Sequence, residues 1–232
     1  GCSRSDSRIR FISRSQNDSI IVFPTFNTRQ CSHTMNSENF NDEIIDAIWT
    51  GDFNKFADLI KNGGNVNFIF DQTNGKTILM VCCQYDLVAF VDFLLKNGAN
   101  HRAIDLFGNR ALHDAAYSSS AELVDCIIKY DQDEVNVKNF SGQTPLMLAS
   151  KRCCMDVMSI ILNSNGNPNC TDEDGNTALH YVFMGGGISK AEMMNAFNLL
   201  CKYNADKEIE NSLRLTPEEY GQMILSNEKR RN

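Results

Sequence analysis

The strongest constraint on this 232-residue chain is a pattern that returns at a nearly fixed interval. Gly75-Lys76-Thr77-Ile78-Leu79 aligns with Gly108-Asn109-Arg110-Ala111-Leu112, Gly142-Gln143-Thr144-Pro145-Leu146 and Gly175-Asn176-Thr177-Ala178-Leu179, and the leucines fall at spacings of 33, 34 and 33. A period of this length is the mark of stacked supersecondary units. Each block continues with small or moderately sized apolar residues: Cys82-Cys83, Ala115-Ala116, Ala149-Ser150 and Val182-Phe183. Each then reaches an apolar pair, Leu94-Leu95, Ile127-Ile128, Ile161-Leu162 and Leu200-Cys201, that closes a second helix.

The chemistry of these positions explains the spacing. Gly supplies a turn that other residues resist. Thr or its neighbour caps the first helix, and Pro145 suits a first helical position. Small residues let two helices approach closely, and the second helix ends at a left-handed residue, most plainly Gly98. One unit is therefore a turn, two helices and a hairpin. It cannot bury its apolar face alone, but stacked copies can.

These motifs resemble the ankyrin repeat family. Thr144-Pro145-Leu146 with Leu112-His113 and Leu179-His180 reproduces its Thr-Pro-Leu-His signature in pieces. The resemblance implies an all-α repeat solenoid, with helix-turn-helix units joined by β-hairpin loops, in five to six repeats including degenerate caps. Ile44 to Asn67 reads as a first unit, and Leu215-Thr216-Pro217-Glu218-Glu219-Tyr220 as a truncated last one whose acidic residues form a polar cap. Three local departures are expected. Repeat five holds about six extra residues, marked by Gly185-Gly186-Gly187, in a loop expected to be mobile. Repeat three has Asp131 where a helix-ending Gly belongs, and repeat two has one additional hairpin residue near Asp71. The expected organisation is a disordered Ser/Arg-rich segment over 1–36, the repeat domain over 37–225 and a charged tail over 226–232.

Composition narrows the function. Twenty-two Lys and Arg against 29 Asp and Glu give a net charge of −7, and the first 34 residues carry +3 of it, so the repeat region is distinctly acidic. A nucleic-acid partner, which needs clustered cations, is not expected. Arg4, Arg8, Arg10 and Arg14 among serines resemble a transit peptide, but Asp6 and Asp18 are wrong for one. No apolar run approaches the roughly 20 residues of a membrane span, and Ile20 to Phe23 stops at Pro24. Nine cysteines, an odd number that includes the adjacent pairs Cys82-Cys83 and Cys153-Cys154, read as reduced thiols of a cytoplasmic or nuclear protein.

No catalytic, cofactor or metal site is expected. Asn74-Gly75-Lys76-Thr77 looks like the end of a phosphate loop, but Phe70 stands where its first Gly is required, and Lys76 reads as an ordinary exposed hairpin residue. Cys82 and Cys83 belong to the core; Cys153 and Cys154 fall in an inter-helix turn and are expected to be partly exposed, without a base in register. No Cys or His cluster has zinc spacing. The resemblance implies that His113 and His180 bond backbone between neighbouring repeats.

What the resemblance implies instead is a non-enzymatic module, an adaptor, scaffold or inhibitor, that binds another protein and no small-molecule substrate. An inhibitor like the ankyrin inhibitors of NF-kappa-B transcription factors is the more specific alternative. The family places recognition on the hairpin tips and the exposed side of the first helices. Here those positions hold Tyr85, Leu106, Phe107, Tyr117, Phe140, Lys151 and Arg152, aromatic anchors beside charge. Finally, ankyrin substrates of the oxygen-dependent asparaginyl hydroxylase carry Leu, five residues, an acid and Val-Asn. Ile128, Glu134, Val135 and Asn136 match that spacing, which makes Asn136 a candidate modification site.

Overall fold

A computed structural model describes residues 12–14, 20–22 and 38–228. Two short strands, β1 (Ile12–Arg14) and β2 (Ile20–Val22), pair antiparallel with Ile12 opposite Val22. The expectation of disorder over the rest of 1–36, and of a charged tail beyond 228, lies outside the described residues. The chain divides into two compact units, 1–64 and 65–232.

In the first unit, α1 (Glu38–Thr50) turns at Gly51 into α2 (Phe53–Lys61), and the two helices pack together. Asp52 starts α2 by accepting the Lys55 N–H at 3.0 Å, so one of the donors that a helix start leaves open is satisfied. Ile44, Ala47 and Ile48 on α1 and Phe56, Ala57 and Ile60 on α2 are buried, the spacing of an amphipathic pair.

The second unit opens with a two-stranded hairpin, β3 (Ile69–Asp71) and β4 (Lys76–Thr77). Its pairing slips between Ile69 and Asp71, so the additional hairpin residue is absorbed as a bulge. Four helix pairs follow: α3 (Ile78–Gln84) with α4 (Val88–Lys96), α5 (Ala111–Tyr117) with α6 (Ala121–Tyr130), α7 (Pro145–Lys151) with α8 (Met155–Asn163), and α9 (Ala178–Val182) with α10 (Lys190–Lys202). A single helix, α11 (Pro217–Glu228), ends the described chain. The short first helices contact one another in sequence, α3 to α5 to α7 to α9 to α11, and the longer second helices form their own row from α4 to α10.

This is the all-α solenoid that the period implied, and the local chemistry works as its residues suggest. Thr77 and Thr144 accept the Met80 and Met147 N–H groups at the starts of α3 and α7, while Pro145 occupies the first turn of α7. Leu79, Leu112, Leu146 and Leu179 are all buried, and so are Cys82, Cys83, Ala115, Ala116 and Ala149. Large side chains at those small positions would hold neighbouring first helices apart. The α11 start is a reciprocal cap in which Thr216 N–H reaches Glu219 Oε2 and Glu219 N–H reaches Thr216 Oγ1.

The departures resolve physically. Repeat five spends part of its extra length on α10, which runs 13 residues against nine for α8. Repeat three replaces the left-handed helix end with Asp131 in extended backbone at φ −150°, followed by a 3-10 turn over Gln132–Asn136. The hairpins after the first are tighter than paired strands: each is a turn closed at its base by a backbone bond, Asp105 N to Asn109 O, Asn139 N to Gln143 O, Asp172 N to Asn176 O and Asn211 N to Leu215 O, with a second backbone bond inside it to the carbonyl of the same first residue.

A side-chain ladder runs through these hairpin bases. Asp105, Asn139, Asp172 and Asn211 each use one side-chain oxygen to accept two backbone N–H groups of their own turn. Asn139 Nδ2 donates to Asn109 Oδ1 of the preceding hairpin and to its own Gln143 Oε1. Gln143 then donates to Tyr181 Oη, Tyr181 donates to Asp172 Oδ2, and Asn211 donates to Asn176 Oδ1. Asn139 is buried and takes part in four of these bonds. Asn139→Ala strands two part-buried N–H groups and breaks the link to Asn109, so urea unfolding should show a loss of about 1–3 kcal/mol. A loss below ~0.5 kcal/mol would show that water replaces the ladder freely.

Candidate interaction face

The hairpin tips and the ends of the first helices carry the candidate residues. Gly75, Gly108, Gly142 and Gly175 turn each tip in the left-handed region, with φ between 72° and 75°. At Gly108 the requirement is double, since a Cβ there would also lie 2.7 Å from the Phe140 backbone nitrogen. That close approach lets successive tips bond directly: Leu106 N to Asn74 O, Phe140 N to Phe107 O, Glu173 N to Ser141 O and Ser212 N to Asp174 O.

With the backbone so occupied, the tip side chains point into solvent. Leu106, Phe107 and Phe140 are 63, 57 and 62% exposed, and Tyr117 at the end of α5 is 49% exposed. Isolated apolar residues on a surface need no explanation, but these occupy two adjacent units. The Arg152 guanidinium lies 5.5 Å from the centre of the Tyr117 ring, and Lys151 precedes it at the end of α7. Tyr85, at the end of α3, is half-buried. The structure thus gathers Leu106, Phe107, Phe140, Tyr117 and Arg152 on two neighbouring units, with Tyr85 one unit before them.

Lys76 departs from its expected exposure. Its ammonium pairs with Asp114 of α5, and both side chains are largely buried. The partner comes from the next unit, 38 residues on, which no reading of the hairpin in isolation reveals. Burial raises the Asp114 carboxyl to about 6, with Lys76 pulling the other way.

The histidines act as the family resemblance implied. His113 Nδ1 accepts the Arg110 N–H at 3.1 Å, which leaves the Nε2 proton for the Gln143 carbonyl of the next unit, also 3.1 Å away. His180 repeats this between the Thr177 N–H and the Leu215 carbonyl. Burial lowers the His113 pKa to about 4 and moves His180 in the same direction. Cys82 and Cys83 are buried and their thiols are raised by it. Cys154 is half-buried as expected, but Cys153 is not partly exposed: it is buried, its thiol is raised to about 11, and its Sγ faces the Val182 carbonyl at 3.8 Å.

One cluster escaped the sequence reading. His101 Nε2, Asp131 and Glu134 offer ligand atoms within 4.8 Å of one another, a trio that could in principle hold a metal ion. Two permanent cations already hold those carboxylates, however. Arg102 bonds Asp131 Oδ2 through Nε at 2.9 Å, His101 bonds the same oxygen at 2.8 Å, and Arg110 bonds Glu134 Oε1. The His101 and then the Arg102 bonds hold the Asp131 carboxyl down at about 2. The arrangement joins adjacent units as an ion-pair network. Arg110 was the available signal, since Thr occupies its position in the three aligned blocks.

Asn136 serves the stack in a similar way. Its Nδ2 donates to the Asn165 carbonyl at 3.0 Å and its Oδ1 accepts the Asn167 N–H at 2.7 Å. Asn67 and Asn169 also use their Oδ1 atoms to accept N–H groups of the following unit, from Asn100 and Asp206.

The neutral His113 gives a pH test. Between the unfolded value near 6.5 and the folded value of about 4, the unfolded chain binds a proton that the native ring refuses, so its contribution to stability falls as pH drops through this window. Asp114, raised in the fold, works in the opposite direction. Thermal unfolding of His113→Gln should therefore lose less stability than the parent between pH 7 and 5. Parallel pH profiles for the two would show that His113 titrates freely.

The family model described as ankyrin repeats (3 copies) matches residues 44–139 and 112–211. Among curated proteins, the chain is 26% identical over 161 residues to neurogenic locus notch homolog protein 1 of Danio rerio, covering 69% of this chain and 6% of that protein. It is 25% identical over 176 residues to neurogenic locus notch homolog protein 2 of Homo sapiens, covering 76% of this chain and 7% of that protein. The aligned region is thus a small fraction of these relatives' length. Matched by the family model along most of its length, with its period, caps and bridging histidines all in register, the chain belongs to the ankyrin repeat family.

Proposed function

We propose that the chain works as a non-enzymatic protein-interaction module, an adaptor, scaffold or inhibitor, whose partner occupies the hairpin tips and the exposed ends of the first helices. Ankyrin repeats are generally protein-interaction modules, and this chain belongs to that family. The observation that carries the assignment to this face is the exposure of Leu106, Phe107, Tyr117 and Phe140 on adjacent units. Aromatic side chains fixed on a rigid scaffold lose little conformational entropy on binding, and their burial dominates hot spots. No helix among the described residues is long and apolar enough to cross a membrane, and a cytoplasmic or nuclear location fits the free thiols.

Affinity capture with the full chain, compared with a Phe107→Ala/Tyr117→Ala double variant, tests this reading. The double variant should keep its unfolding midpoint and lose partner affinity by about 2 kcal/mol or more. Retention of the same partners at the same affinity would move the face elsewhere.

We also propose Asn136 as a substrate for asparaginyl hydroxylation. The side chain is exposed and follows Ile128, Glu134 and Val135 at the required spacing. Its bonds to Asn165 and Asn167 must open first, so modification requires local unwinding. Incubation with the hydroxylase, iron and 2-oxoglutarate, followed by peptide mass spectrometry, should find the added oxygen on Asn136. An unmodified Asn136 beside a modified control ankyrin would refute the assignment.

A further inference from the structure

The hairpin tips do not share one chemistry. Thr73-Asn74 is polar, Leu106-Phe107 and Phe140-Ser141 bring the exposed apolar groups, and Glu173-Asp174 is acidic. The apolar island is therefore bounded along the stack, and only one of its two boundaries carries charge.

The cations beside it are distributed just as unevenly. Lys76 is held by Asp114, Arg110 by Glu134 and Arg102 by Asp131. Lys151 and Arg152, consecutive at the end of α7, make no ion pair with the described residues. Arg152 holds its guanidinium 5.5 Å from the centre of the Tyr117 ring, a contact that engages no carboxylate. In a chain with seven more acidic than basic groups, cations without an internal carboxylate partner at the edge of an exposed aromatic cluster form a ready binding element. Glu173 and Asp174, exposed on the next tip, make no ion pair either.

We propose that this face takes an extended segment of a partner protein that presents an apolar anchor with a carboxylate side chain on one side of it only. The anchor covers Leu106, Phe107 and Phe140, and the carboxylate bonds Arg152 and Lys151. Glu173 and Asp174, on the tip after Phe140, repel a second acid beyond the anchor, so the segment's acid faces the end of α7 and not the next tip. A polyanion such as single-stranded nucleic acid would meet that acidic tip and the chain's net negative charge, so it fits this face less well. Charge steering over long distances is weak here, because the overall field opposes an acidic ligand and is screened beyond about 8 Å at physiological salt. Binding energy then rests on the apolar anchor and the short-range ion pairs.

The proposal rests on the interaction-face reading, and a selection from random displayed peptides separates the two. Peptides enriched on the full-length chain should combine an aromatic or aliphatic residue with a neighbouring Asp or Glu. Binding measured by fluorescence anisotropy should weaken about tenfold or more in Phe107→Ala/Phe140→Ala. Lys151→Glu/Arg152→Glu should weaken it similarly and favour a peptide whose acid is changed to Lys. Changing the peptide acid to its amide tests the same contact with unaltered protein and should also reduce affinity. Enriched peptides that lose affinity in Phe107→Ala/Phe140→Ala but carry no acid, or are indifferent to its amide, overturn the charge assignment and leave the face intact. No enriched peptide, peptides indifferent to the aromatic variant, or competition by a single-stranded oligonucleotide in place of peptide would overturn the face and the proposal together.

Discussion

The hydrogen-bonded chain through the hairpin bases is the interaction on which the second unit most depends. A hairpin tip has few apolar contacts of its own, and its backbone groups must be satisfied locally or by a neighbour. One oxygen each of Asp105, Asn139, Asp172 and Asn211 closes its own turn, and the amides of Asn139 and Asn211 also reach the preceding hairpin. His113 and His180 add a second set of bonds one layer inward, from the first helices to the next unit's backbone. The stack is thereby joined by directional bonds as well as by buried leucines. Hydrophobic contact between similar helices would tolerate sliding, whereas these bonds favour one register.

That rigidity is what exposes the aromatic tips. Backbone bonds between successive tips hold Leu106, Phe107 and Phe140 at fixed spacing, and the absence of a Cβ at Gly108 leaves room for the Phe140 backbone and ring to approach. Exposed rings on a mobile loop would bury themselves or lose entropy on binding. Here most of that ordering has been completed by folding.

Charge is handled differently in the interior and on the face. Lys76 with Asp114, and Arg110 and Arg102 with Glu134 and Asp131, are largely buried or partly covered pairs that join adjacent units. Burying a carboxylate such as Glu134 is costly unless a cation accompanies it, and Arg110 accompanies it. The same region lacks a left-handed helix end, so an ionic network and a 3-10 turn stand where Gly98, Asn165 and Asn204 turn the chain after α4, α8 and α10. The pairs also consume cations that would otherwise add to the charge of the face, and this gives Lys151 and Arg152 their prominence.

The one-dimensional period was enough to determine the stacked helical units, the buried leucine and small-residue columns and the helix starts at Thr77, Thr144 and Pro145, and the family resemblance added the tip positions of Leu106, Phe107 and Phe140. These features are local: a repeated unit has to place the same chemistry at the same offset, and a solenoid contacts chiefly its neighbours. The interior place of Lys76, the burial of Cys153 and Glu134, and the cluster of His101, Asp131 and Glu134 were decided only by tertiary structure. Each depends on side chains 24 to 38 residues apart or on the packing between neighbouring units. Sequence spacing shows that such residues lie on neighbouring units; which of them meet is set by side-chain reach and by the competition of nearby charges for one another.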